Sequence, residues 1–180
     1  MALLLVLLSL TAVPALASPP LEFTLQGTAQ LAFTPGDDAG ALVVNAIRQA
    51  RSQILVQAYS LTHRAIAGAL IAARQRGVDV QVIADREQDR HIETSLVSYL
   101  AEHGVSVYLD GEHSAAHNKV MIIDNGLPDA AVITGSFNFT TAAQFRNAEN
   151  LLILRGNPLL AEAYAANWRR HRTHSLPLRP

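Results

Sequence analysis

The chain has 180 residues, 49% of them hydrophobic, with 14 Lys and Arg against 15 Asp and Glu for a formal net charge of −1. That length and apolar content suit one compact domain with a real core, and near-neutrality excludes a global field selecting nucleic acid over other anionic partners. There is no cysteine, which excludes a disulfide framework, a thiolate zinc site and a cysteine nucleophile.

In chain order, an uncharged apolar stretch from Met1 ends in Ala15-Leu16-Ala17 and then Ser18-Pro19-Pro20, the small-residue pattern of a secretory signal peptide. Cleavage near Ala17 is expected. This gives a signal peptide over 1–17, one domain over 18–180, and an exported protein, periplasmic or secreted. The stretch is short and Pro-interrupted for a membrane span, so stable membrane insertion is not expected. The missing basic residue at its start keeps an uncleaved anchor as the competing reading.

Pro19 to Gly36, with Phe23, Leu25, Leu31 and Phe33, reads as a strand or hairpin arm closed by Pro35-Gly36. Asp37-Asp38 opens a helix with Leu42, Val43, Ala46 and Ile47 at helical spacing, and Gln53 to Tyr59 follows as a β-rich run. Thr62 is positioned to cap a helix through Ile66, Ala69, Leu70 and Ala73 that stops at Gly77, before the alternating strand Val78 to Ala84. The cycle repeats with a helix over Glu93 to His103 and a strand over Val105 to Leu109.

Three apolar runs with short connections come next: Lys119 to Asp124, Ala131 to Thr134, and Asn150 to Leu154. They read as central strands buried on both faces. Asn157-Pro158 opens a last helix through Leu160, Ala163, Tyr164 and Trp168. The alternation predicts a single α/β domain, with a mixed, largely parallel central sheet flanked by helices on both faces.

Chemistry concentrates in His113-Ser114-Ala115-Ala116-His117-Asn118-Lys119, followed by Gly135-Ser136-Phe137-Asn138 and Ala148-Glu149-Asn150. Strand residues two apart share a face, so His117 and Lys119 would project side by side. Lys119 is the only lysine among the 14 Lys and Arg residues, and a compact ammonium fits a tight oxyanion site that a planar guanidinium would overfill. Ser136 and Asn138, again two apart, offer donors to one patch of space, or else serve only a local turn. Glu149 precedes a buried-looking strand where an unpaired carboxylate is costly. It is read either as the partner of the His117 ring or as a surface residue at a strand end.

The pattern His117-x-Lys119-x-x-x-x-Asp124, then Gly135-Ser136-x-Asn138 and Glu149, closely resembles the phospholipase D superfamily, in particular its small single-motif bacterial endonucleases. The resemblance implies a phospholipase D-like fold and a metal-independent phosphodiesterase without a cofactor. It further implies one histidine attacking phosphorus to form a phosphohistidine and a second protonating the leaving oxygen. With one motif per chain, it also implies a homodimer with a composite site. Asn125 to Asp129 makes the stretch between Asp124 and Gly135 longer than the pattern expects and reads as an enlarged hairpin turn.

His117, Lys119, Ser136, Asn138 and Glu149 are therefore the expected catalytic set, with Asp124 structural. His113 is placed at the site entrance, and Arg169, Arg170 and Arg172 are candidate contacts to a phosphate backbone; cations that merely complement a helix end are the alternative for these arginines. His63, His91, His103, His171 and His174 are read as surface residues, and no metal site is assembled from the histidine spacings. Nucleic acid, DNA first and RNA second, is the expected substrate. Phospholipid is the weaker expectation, and a non-catalytic nucleic-acid-binding module stands as an alternative from another class.

Overall fold

The computed structural model describes residues 19–179, so the expected signal peptide at 1–17 lies outside the described residues. One eight-stranded sheet forms the centre. Its strands in chain order are β1 (Thr28–Thr34), β2 (Gln53–Ala58), β3 (Asp79–Asp85), β4 (Ser106–Asp110), β5 (Lys119–Ile123), β6 (Ala131–Gly135), β7 (Glu149–Arg155) and β8 (Leu176–Pro177). Across the sheet the order is β1-β7-β6-β5-β2-β3-β4-β8.

Helices α1 (Ala39–Gln49), α2 (Arg64–Gln75), α3 (Arg86–His91), α4 (Val97–Glu102), α5 (Thr141–Phe145) and α6 (Pro158–His174) complete the chain. Apolar residues of α1, α2, α4 and α5, such as Val43, Ile47, Ile66, Leu70, Leu100 and Ala143, pack on one sheet face with Val56, Met121 and Ile133. On the other face α6 buries Ala161, Ala165 and Trp168 against Leu55, Ile83, Ile122 and Val132. The Trp168 indole donates to Val56 O at 2.9 Å, which satisfies its one polar atom and locks the helix across the sheet.

The sheet is mixed but mostly antiparallel, a correction to the largely parallel expectation. Only β2-β3 and β3-β4 run parallel; the β1-β7, β7-β6, β6-β5, β5-β2 and β4-β8 pairings are antiparallel. Helical crossovers give the parallel part. The short connection between β5 and β6 permits only reversal.

Local differences have local causes. The first arm is a single strand, β1, paired along its length with β7. The helix expected over Glu93 to His103 is confined to Val97–Glu102. Before it stands α3, a polar turn with no buried residue and hence no apolar period to read, nucleated by Asp85 accepting from Gln88 N at 2.6 Å. His63, not Thr62, occupies the N-cap of α2, without a side-chain bond.

The long β5–β6 turn keeps its register, Ile123 opposite Ala131. At its start Asp124 takes φ 54. Its buried carboxylate accepts the backbone amides of Arg51, Ser52 and Gln53 and the Ser52 hydroxyl. All this lies at the end of β5 opposite Lys119.

Candidate active site

Because β5, β6 and β7 reverse direction, the start of β5, the end of β6 and the start of β7 meet on the same rim as the carboxyl ends of β2, β3 and β4. Lys119 stands opposite Ala58, Gly135 opposite Leu151 and Glu149 opposite Thr34. His117, Lys119, Ser136, Asn138 and Glu149 all sit along or just beyond this edge, where backbone irregularity is tolerated and side chains can converge, whereas Asp124 lies at the other end of β5.

The His117–Lys119 pair is built as its spacing predicts. Lys119 Nζ lies 3.0 Å from His117 Nδ1 and donates to His117 O at 2.8 Å. Lys119 is 8% exposed, and burial pushes its pKa down while the Glu149 carboxylate pulls it back up. His117 itself is exposed.

Tyr59 belongs to the same cluster and escaped sequence reasoning. Its ring centroid is 4.2 Å from that of His117 and 4.7 Å from Lys119 Nζ, and its amide donates to Asn118 O at 2.8 Å. Its place just past the carboxyl end of a parallel strand was the available signal.

Ser136 Oγ accepts from Asn150 N at 3.0 Å. This approach requires Gly135, at φ 140, because a Cβ there would come within 2.3 Å of Asn150 O. Asn138 Oδ1 is shielded and lacks a hydrogen-bond partner among the described residues. Glu149 accepts from Asn147 Nδ2 at 3.0 Å, so in a single chain the His117 Nδ1 position is taken by Lys119 and not by the Glu149 carboxylate.

The C-terminal arginines have intramolecular partners. Arg169 pairs with Glu162, Arg170 donates to Asn167 at 3.0 Å, and Arg172 lies 3.5 Å over the Tyr108 ring. His171 and His174 are half-buried instead of being surface residues, each within hydrogen-bond distance of the buried Asp110 carboxylate. That carboxyl feels an upward pull from burial, but hydrogen bonds from His171, the Glu112 amide and His174 outweigh it and hold it below the usual carboxylate range. His113, expected at the site entrance, is exposed and completes this group.

A mixed sheet carrying a paired histidine and lysine, with serine and asparagine from the neighbouring strand end, defines a phosphodiesterase of the phospholipase D superfamily. The family model described as cardiolipin synthase, PLD-like domain, matches residues 43–171, and the chain belongs to this PLD-like family. It is 40% identical over 144 residues to a phospholipase D of Rickettsia felis, covering 80% of this chain and 69% of that protein. The match to the human mitochondrial cardiolipin hydrolase is 30% over 118 residues, covering 66% of this chain and 45% of that one.

Among solved structures, the phospholipase D family member Nuc from Salmonella typhimurium superposes with a TM-score of 0.79 at 35% identity, over 85% of this chain and 99% of that one. NucT from Helicobacter pylori superposes with a TM-score of 0.74 at 25% identity, over 84% and 99%.

Proposed function

We propose that the protein is an exported, metal-independent endonuclease that hydrolyses DNA, and RNA as a second substrate, at a composite site between two copies of the chain. The observation that carries this reading is the single His117–Lys119 pair on an open rim. In-line phosphodiester cleavage needs a nucleophile on one side of phosphorus and an acid on the other, and one histidine cannot serve both. Apolar Leu31 and Phe33, each 57% exposed on the strand that flanks Glu149, offer surface of the kind a subunit contact covers.

In the proposed reaction the imidazole of His117 forms a P–N bond as the P–O bond to the leaving nucleotide breaks. His117 of the partner subunit gives that oxygen its proton, and water then cleaves the P–N bond. Lys119, Asn138 and Ser136 hold phosphoryl oxygens as charge develops. Glu149 balances the cations gathered on the rim, and Asp124 keeps the far end of β5 in register. The likeness in fold and length to Nuc and NucT supports nucleic acid. The phospholipase D name of the Rickettsia relatives supports phospholipid as a second reading.

The test is incubation of the protein and its His117→Ala variant with labelled single- and double-stranded DNA in excess EDTA. Cleavage by the wild type, lowered about 10⁴-fold or more in the variant, is expected for loss of a nucleophile. If neither cuts DNA while the wild type cleaves phosphatidylcholine or cardiolipin vesicles, the lipid reading replaces it. DNA binding without cleavage, unchanged in the variant, makes the chain a binding module.

A further inference from the structure

A second cluster of chemically capable side chains lies on the same rim, three strands from β5, about 14 Å across the sheet at ordinary strand spacing. Asp110 ends β4, His113 stands in the loop that leads to His117, and His171 and His174 occupy the last turn of α6. An i, i+3 spacing puts the two helical histidines on one face, and β8, paired with β4 directly after the helix, fixes that face over Asp110.

The three imidazoles surround the carboxylate. His171 Nδ1 is 2.7 Å and His174 Nε2 3.2 Å from the same oxygen, Asp110 Oδ2, while Oδ1 accepts the Glu112 amide at 3.1 Å. His113 lies 5.1 Å from His171 and 5.4 Å from His174 between ring centroids, and the two helical rings are 5.3 Å apart. The planes of these rings are all mutually inclined, so the histidines do not stack; one nitrogen from each and one Asp110 oxygen fall within 4.8 Å of one another.

The geometry points to a divalent transition-metal site of the zinc class formed by Asp110, His113, His171 and His174, separate from the His117–Lys119 centre. Three imidazoles and one carboxylate are a borderline-soft donor set that suits Zn²⁺ and disfavours Mg²⁺ or Ca²⁺. With bonds of about 2.0–2.1 Å, a tetrahedral ion places its ligand atoms about 3.3–3.5 Å apart. The observed spacing reaches this by small rotations of side chains, without movement of β4 or α6.

Four protein ligands close the coordination sphere, so the ion serves structure and not hydrolysis. It clips the C-terminal helix to β4 and anchors the loop whose end carries His117. The Asp110 side chain, fully shielded from solvent, supplies the outer hydrogen bond through Oδ1 that commonly orients a metal-bound carboxylate.

The experiment titrates the metal-stripped protein with Zn²⁺ by calorimetry, and with Co²⁺ by its visible absorption, and reads thermal unfolding with and without Zn²⁺. It does not measure cleavage, so its outcome is independent of the nuclease reading. One equivalent of Zn²⁺ is expected, with tetrahedral Co²⁺ bands and a rise in Tm of about 5–10 °C at a hundredfold excess over Kd. His117→Ala leaves binding unchanged. His113→Ala, which removes a loop side chain with no hydrogen bond among the described contacts, and His174→Ala each weaken binding at least about 10-fold, in the range lost with a metal-site group. Absence of stoichiometric binding by the wild type, or unchanged affinity in either variant, overturns the site.

Discussion

Lys119 is the one lysine in a chain whose other strong bases are all arginine, and its surroundings explain the exception. Its ammonium is held between the His117 ring, the His117 carbonyl and the face of Tyr59, a space that fits a point charge and not a planar fork. Burial disfavours its charged form, and the Glu149 carboxylate restores part of that charge. Asn138 presents a shielded amide oxygen without a partner among the described residues, an acceptor that only a donor can satisfy, so a phosphoryl oxygen can be held only by the donor end of this amide, Nδ2. If the amide holds a transition-state oxygen, Asn138→Ala lowers kcat about 10²–10³-fold with little change in Tm; steady-state kinetics and calorimetry check both halves.

Between elements, Asp124 shows how a motif residue acts away from the chemistry. Burial alone raises its pKa, but the amides of Ser52, Gln53 and Arg51 together with the Ser52 hydroxyl outweigh burial and hold the carboxyl below its usual range. A folded-state pKa below the unfolded value of about 3.9 contributes stability that is present above that pH and is lost as pH falls through the folded value. Asp124→Asn is therefore expected to cost about 2–3 kcal/mol at neutral pH and to flatten the fall of Tm in acid. Turnover per folded molecule should hold, because the α1–β2 junction it ties to the β5–β6 turn is remote from Lys119. Unfolding monitored from pH 7 to pH 2 beside single-turnover assays decides this.

At the level of the whole molecule, the proposed composite site between two copies makes a quantitative demand. When wild type is mixed and re-equilibrated with excess His117→Ala, each mixed dimer lacks one of the two histidines and is inactive. Activity is then expected to fall as the square of the wild-type fraction. A linear fall, or a monomer in analytical ultracentrifugation at assay concentration, removes the composite site.

The helix and strand alternation from Asp38 to Leu109 apart from α3, the buried runs of β5 and β6 and the Asn157-Pro158 helix start were legible because apolar period and capping chemistry are local properties, whereas β7, expected to be buried on both faces, buries only Leu151 and Ile153. His117 and Lys119 were legible from their spacing, since residues two apart in extended chain share a face, although β5 begins only at Lys119 and His117 stands in the segment that leads into it. Strand direction was not: a short apolar run pairs either way, and although the short β5–β6 connection forces reversal, the antiparallel pairing of β5 with β2 and of β7 with β6 was settled only by the assembled sheet. Tyr59 at the His117 ring and the gathering of Asp110 and His113 with His171 and His174 depend on which strand ends and helix turns meet on one rim. Contacts between groups some 60 residues apart leave no periodic trace in a sequence; they exist because β8 and Trp168 draw α6 back across the sheet.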